Sequence, residues 1–239
     1  MQPALFGHHV DPGVDPSFVR LQRRPLDAGA WVDYVPGWLD GHARAFDALL
    51  KGLCWRETTQ VLFDKVVATP RRIASFPEDG VPPEWLTVAG QLLSQRYGVH
   101  LDRRTASLYR DGQDSVAWHR DRGHRERARA IVAIVSVGEP RKLLLRPWRR
   151  SSSDPERPRG SMAFSLGWGD LLVMGGTCQR TWEHAVPKVR RAGPRISLMF
   201  RHDPDAYVSI LSGKSSDPGS SAPLGGRTDQ DVVYGQVRR

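Results

Sequence analysis

Residues 115–121 read Ser115-Val116-Ala117-Trp118-His119-Arg120-Asp121. The run reads as β-strand. In a strand, side chains two residues apart point to one face, so His119 and Asp121 can bring an imidazole nitrogen and a carboxylate oxygen to one point. A second histidine would complete a two-His-one-carboxylate set, the arrangement that leaves positions open on non-haem Fe(II). On its own, His-x-Asp is more often a solvated pair at a strand end. The reading therefore depends on what surrounds it.

From residue 104 onward the chain reads as all-β. Strands are expected near 105–109, 115–119, 130–137, 141–147, 161–165, 170–174, 182–186 and 194–201. Turn signals separate them at Asp111-Gly112, Gly138, Gly167, Gly169, Gly175-Gly176 and Gly193-Pro194. Eight short strands at this spacing predict a mainly β domain with flanking helices (α+β). Its core is expected to be a double-stranded β-helix, or jelly roll.

Before residue 104 the pattern is mixed. Ala30 to Pro36 reads as a strand. Asp40 is placed as the N-cap of a helix whose core face carries Phe46, Leu49, Leu50 and Leu53. Residues 58–69 are β-branched and read as one strand. Pro83 opens a second helix that runs to Tyr97 and stops at Gly98. Residues 1–20 are expected to be a poorly ordered arm, and 21–203 one domain: an extension over about 21–103 and a core over 104–203. The Arg/Ser/Pro-rich run 149–160 reads as an exposed loop, and the Gly/Ser-rich stretch 204–239 as a disordered tail.

Composition narrows the classes. The 239 residues are 39% hydrophobic, with no apolar run long enough to span a bilayer. No secretion signal is expected, so Cys54 and Cys178 are expected to stay reduced in a cytoplasmic, monomeric protein. The formal charge of +9 favours a polyanionic partner, nucleic acid first.

The second histidine is expected at His184, in Gln179-Arg-Thr-Trp-Glu-His184, on a late strand that the fold brings beside the early one. Pro194-Arg-Ile-Ser-Leu-Met-Phe-Arg201 then sets Arg195, Ser197 and Met199 on one face and Ile196, Leu198 and Phe200 on the other. The second face is core. An arginine in such a strand is costly unless a carboxylate meets it. The strand holds no acid, so an external dicarboxylate suits Arg195, whose fork binds a carboxylate bidentately.

At this point the residues resemble a family, the AlkB branch of the Fe(II)/2-oxoglutarate dioxygenases. The resemblance rests on Tyr109 to His119, Ser136-Val-Gly138, Arg141 with Arg146, Gly169 to Met174, Gln179, Trp182-Glu-His184, Val186-Pro-Lys188 and Arg195 to Arg201, in order. Pro70-Arg71 and the helix after Trp38 extend it over most of 30–202. It implies Fe(II) held by His119, Asp121 and His184. It implies 2-oxoglutarate met by Arg195, Arg201, Tyr109 and Ser107, with O2 as oxidant. It implies an N-terminal helix/strand region for nucleotide recognition, with Phe76 stacking a flipped base and Phe63 as an apolar wedge. Arg71, Arg72, Arg120, Arg122, Arg149 and Arg150 are candidates for phosphate contact. The implied activity is oxidative demethylation of N-alkylated bases in DNA or RNA, as in alkylation-damage repair.

Two positions depart from the family pattern. Ser107 stands where an asparagine is common, and Gly123 stands where demethylating relatives often carry an acid. Arg122 and Arg125 would oppose a cationic ring, while Glu126 is the substitute acid. The same chemistry on a protein side chain or small molecule is therefore a competing expectation. A non-enzymatic nucleic-acid module is disfavoured by an intact triad.

Overall fold

The computed structural model describes residues 10–62, 65–76, 82–101, 103–121, 124, 129–148 and 161–201. The expected loop over 149–160 and the tail over 204–239 lie outside the described residues. Within them, fourteen strands and three α-helices follow one another. The N-terminal part holds β1 (Gly13–Val14), β2 (Gln22–Pro25), β3 (Ala30–Val35), β4 (Leu39–Asp40), α1 (His42–Gly52), β5 (Arg56–Leu62), β6 (Lys65–Ser75) and α2 (Glu84–Tyr97). The remainder holds β7 (Arg103–Tyr109), β8 (Val116–His119), β9 (Val132–Gly138), β10 (Arg141–Pro147), β11 (Met162–Leu166), β12 (Asp170–Gly176), α3 (Cys178–Thr181), β13 (Trp182–Val186) and β14 (Arg195–Arg201).

These strands form three antiparallel sheets. One has eight strands in the order β2-β3-β12-β9-β14-β7-β6-β5, one has four in the order β11-β10-β13-β8, and β1 pairs with β4. The large sheet has a core on each face. Ala133, Val135, Val137, Leu171, Val173, Ile196, Leu198 and Phe200 meet Leu86, Ala89 and Leu93 of α2 and Leu49 of α1. Their strand neighbours Val132, Ile134, Leu172 and Met174 point the other way, onto Val116, Leu143, Leu145, Phe164 and Val186 of the four-stranded sheet. Burial on both faces is why the central strands read as unbroken apolar runs rather than as alternation.

The expected jelly-roll core is corrected here. Each sheet order has two free ends, so no sheet is closed. The strands after residue 104 do not fold on themselves, because β2 and β3 extend one edge of the large sheet while β5 and β6 extend the other. The result is an open mixed α and β architecture.

Three local readings also change. Residues 58–69 are not one strand but parts of two, β5 and β6, with Val61 opposite Val66 and Leu62 opposite Lys65. The N-cap of α1 is Gly41, at φ +62, rather than Asp40, which instead pairs with Gly13 in β4. A Cβ at Gly41 would lie 2.6 Å from the Val10 carbonyl oxygen, so this close approach requires glycine. Leu50, placed on the core face of α1, is exposed. Residues 13–18 pack on the body: Phe18 is buried and stacks on Trp38 at 5.6 Å.

Other readings agree with the structure. α2 ends at Gly98 in the left-handed conformation, with its N–H bonded to the Ser94 carbonyl. Both cysteines are free, and burial pushes the Cys178 thiol up to about 12. Among the described residues no helix is long and apolar enough to cross a membrane.

One buried charge ties β2, β3 and α2 together. Asp33 is fully buried and accepts from Arg23 Nε at 2.7 Å, Arg23 Nη2 at 2.8 Å and the Tyr97 hydroxyl at 3.0 Å. Arg23 also lies 4.1 Å above the Trp31 ring, which stacks on Tyr97. Burial and the neighbouring Asp33 charge both raise the Tyr97 pKa, so the phenol stays a donor at neutral pH. Asp33→Ala strips the fork and the phenol of their acceptor. It is expected to lower the unfolding free energy by about 1–3 kcal/mol, read from urea denaturation.

Candidate active site

The site lies between the two large sheets, where β8 and β13 face β7 and β14. β13 pairs antiparallel with β8, and His184 stands directly opposite His119. Val186 stands opposite Val116, so three steps on β8 match two on β13 and the register shifts between them. This bulge lets Val116 and His119 both face inward, against the simple alternation of a strand. Asp121 follows two residues later and turns the same way.

The three side chains form one cluster. Their candidate ligand atoms all lie within 4.8 Å of one another. Asp121 Oδ1 is 3.7 Å from His119 Nε2 and 3.6 Å from His184 Nε2, and the two rings are 4.1 Å apart. His119 Nδ1 is 2.9 Å from the Ala117 carbonyl oxygen. A carbonyl only accepts, so Nδ1 carries the proton and Nε2 keeps its lone pair toward the cluster.

Electrostatics keep all three in the ligating form. Burial lowers the His119 pKa and takes His184 down to about 3, with the neighbouring His119 charge adding to the latter. Burial alone would raise Asp121. Arg201 and the two histidines outweigh it and hold the carboxyl well below its usual range. Two neutral imidazoles and one carboxylate are the donor set that suits Fe(II) with open positions.

Asp121 is held from two further sides. Arg201 Nε donates to Oδ2 at 2.7 Å, and Arg201 Nη1 donates to Thr105 Oγ1 at 2.8 Å. The Asp121 backbone N–H donates at 3.0 Å to Oε1 of Gln179, a buried residue of the short helix α3. Oδ1 is thereby left for the cluster.

Arg195 occupies the same inner face, opposite Tyr109 on β7 and Gly138 on β9. It is 1% exposed. Its Nε donates to the Leu166 carbonyl at 3.1 Å, and its Nη2 reaches Ser136 Oγ at 2.6 Å and Ser197 Oγ at 3.4 Å. Nη1 is buried with no hydrogen-bond partner, and among the described residues no ion pair neutralises the group. The Tyr109 ring centroid lies 5.3 Å away. Burial depresses the Arg195 pKa, the mark of a desolvated cation without its anion. A carboxylate from outside the chain fits this spot.

A cavity of about 210 Å³ joins these parts. Its lining includes Arg71, Ser75, Thr105, Ser107, Tyr109, His119, Asp121, His184, Ser197 and Arg201. Thus nearly all the expected metal and cosubstrate residues meet at one place, with Arg195 just behind Tyr109 and Ser197. Arg71 is also at the cavity. Arg72 is not: it binds Glu57 at 2.9 Å on the exposed side of the β5–β6 hairpin. Phe76 packs against the helix-side core and does not line the cavity. Phe63, Arg122, Gly123 and Glu126 lie outside the described residues.

Sequence reasoning did not assign Ser136, Thr105 or a role for Gln179. Ser136, Ser197 and Ser107 stand in one row across β9, β14 and β7. The available signal was a lone serine inside the apolar run Ile131 to Val137, the same kind of signal that singled out Arg195. Gln179 carried no such mark, because its partner is a backbone amide.

Comparison with known proteins agrees. Residues 34–201 match the model of the 2OG-Fe(II) oxygenase superfamily, and the chain belongs to that family. It is 28% identical over 195 residues to human "Alpha-ketoglutarate-dependent dioxygenase alkB homolog 3", covering 71% of this chain and 65% of that protein. It is 29% identical to the Arabidopsis thaliana "DNA oxidative demethylase ALKBH2", covering 65% of this chain and 60% of the other. These matches span a little under two thirds of the relatives' length. Among solved structures, "The structure of OsALKBH1" aligns with a TM-score of 0.52 at 15% identity, covering 76% of this chain and 100% of that one. The likeness there is one of fold. The protein is thus an oxidoreductase of the 2OG-Fe(II) oxygenase superfamily, dependent on Fe(II) and 2-oxoglutarate.

Gln179 meets the cluster through the Asp121 backbone N–H. Gln179→Ala removes the acceptor for the Asp121 N–H and is expected to weaken Fe(II) or Mn(II) binding about 10- to 100-fold by calorimetry.

Proposed function

We propose that this chain removes N-linked alkyl groups from bases of DNA or RNA, releasing formaldehyde, succinate and CO2. The observation that carries the proposal is a three-ligand cluster lining one cavity, with the buried, unbonded Nη1 of Arg195 on the strand behind Tyr109 and Ser197 of that lining. The nucleic-acid substrate is supported by the net charge of +9 and by the demethylase relatives.

In this reading His119 Nε2, Asp121 Oδ1 and His184 Nε2 hold the iron. Bound Fe(II), with 2-oxoglutarate and O2, supplies the oxidising chemistry. The chain's own residues do the rest. Arg195 takes the distal carboxylate of 2-oxoglutarate on Nη1 and Nη2, with Ser136 steadying the fork. Tyr109 and Ser107 line the path of the cosubstrate. Arg201 keeps Asp121 ionised and aimed. The apolar lining, Ile134, Leu143, Val186 and Met199, excludes water from the reacting group. A base must leave a duplex stack to enter, so a flipped or single-stranded base is the expected substrate.

A second reading, the same chemistry on a protein side chain or small molecule, is favoured by one observation. Asp121 is the one acidic residue among the described cavity lining, and it is already engaged by Arg201. A cationic methylated ring gains no free carboxylate there.

Incubation with Fe(II), 2-oxoglutarate, ascorbate and methylated single-stranded DNA is expected to yield formaldehyde, and Asp121→Ala none. Formaldehyde no higher than in that control would remove the nucleic-acid reading and leave the second. Arg195→Lys keeps the charge but loses the fork. It is expected to raise the KM for 2-oxoglutarate by about tenfold or more.

A further inference from the structure

The outer face of the four-stranded sheet carries a pattern that the iron centre does not use. Trp118 and Arg120 flank His119, and Arg146 and Trp148 flank Pro147. The two segments belong to β8 and β10, which are not neighbours, because β13 lies between them. Their side chains nevertheless pair reciprocally across β13. Arg120 Cζ lies 3.4 Å from the Trp148 ring centroid, and Arg146 Cζ lies 4.2 Å from that of Trp118. At 3.4 Å the guanidinium must lie flat on the indole, with its other plane turned away from the ring.

Hydrogen bonds fix both guanidiniums. Arg120 Nη1 donates to the Arg180 carbonyl at 3.1 Å, and Arg146 Nε donates to Glu183 Oε2 at 2.9 Å. The Arg146 side chain is 46% exposed. Lys142 and Arg180 are exposed nearby, and Glu183 is the one acid on this face among the described residues of β8, β10, β11 and β13. The face is thus cationic and planar, and it backs directly on the strand that bears His119. A flat, charged guanidinium meets both requirements of a single strand, a base to stack and a phosphate to pair. Neutral peptide surfaces offer neither.

We propose that this Trp–Arg face docks single-stranded nucleic acid. Bases stack on the guanidiniums of Arg120 and Arg146, whose charges pair phosphates alongside Lys142 and Arg180. The proposal deepens the nucleic-acid reading of the site and rests on it for its biological sense, but its test needs no turnover.

The probe is an unmodified, fluorescein-labelled single-stranded DNA 12-mer, titrated by anisotropy across a salt series. The Arg120→Gln/Arg146→Gln pair is expected to weaken Kd about tenfold and to reduce the salt slope by about 1.4, the contribution of two phosphate contacts on a single strand. Arg120→Lys/Arg146→Lys keeps the charge and the salt slope but loses the plane, so it too should bind more weakly. An inorganic polyphosphate of equal charge should compete poorly, because it has nothing to stack.

A Gln pair that keeps its circular dichroism and binds with unchanged Kd and slope overturns the proposal. So does a wild-type chain that binds no strand, or polyphosphate that competes as well as DNA. If the Gln pair does not fold, the Lys pair decides, and wild-type affinity in it overturns the stacking. Intact strand binding with no formaldehyde would sink the demethylase reading and leave this face standing. Formaldehyde without any dependence on these arginines would do the reverse.

Discussion

The carboxylate of Asp121 is the constraint on which the rest depends. A buried carboxylate is costly unless it is paired and hydrogen-bonded. Here its two oxygens have different partners. Oδ2 binds the Arg201 guanidinium at 2.7 Å, while Oδ1 faces the two imidazoles at 3.6 and 3.7 Å. The division decides protonation as well as direction, since the same arginine keeps the acid ionised against its burial. Arg201 is on β14 of the large sheet and His184 is on β13 of the small one. One side chain therefore fixes the approach of the two sheets at the point where the cavity must open.

β14 works as a ruler across that gap. Its outer residues Ile196, Leu198 and Phe200 are locked into the helix-side core, which leaves the strand no freedom to slip. Its inner residues are then held at fixed spacing: Arg195 at one end, Arg201 at the other, with Ser197 and Met199 between. The strand rises about 3.3 Å per residue, so the two guanidiniums are anchored about 20 Å apart along the backbone. One faces the metal ligand, and the other faces a place where a carboxylate is missing. The serine row of β9, β14 and β7 supplies the polar floor between the two.

How much of this was legible depended on whether a residue's role was set by its own strand. Each strand after residue 104 was read close to its observed limits, because turn glycines and apolar runs are local signals. His119 and Asp121 were legible by strand spacing, and Arg195 by the cost of a charge among apolar neighbours. The arrangement of the sheets was not legible. Edge strands such as β2, with the exposed run Gln22-Arg-Arg-Pro25, join the large sheet by backbone pairing that leaves little mark on side chains. The hairpin of β5 and β6 was missed for a similar reason, since no glycine, proline or asparagine marks its reversal. Gln179 was missed because it serves a main-chain N–H. Phe76, placed at the site by resemblance, follows the last residue of β6 and packs with the helix-side core, although Ser75 just before it lines the cavity.

The same contrast explains why the chemistry is more sharply defined than the group it acts upon. The candidate metal and cosubstrate residues sit on or directly after β7, β8, β13 and β14, whose inner faces are packed. Precise sites belong on such elements. In the proposed reading, recognition of the alkylated group falls instead to Arg71, where β6 leaves its pairing with β7, and to the charges that the sequence carries directly after Asp121. Segments of that kind can change charge without disturbing a ligand. Gly123 beside Arg122 and Arg125 is such a change in charge. Asp121 and Arg201 are held by Gln179, Thr105 and each other, partners that lie outside that run of sequence.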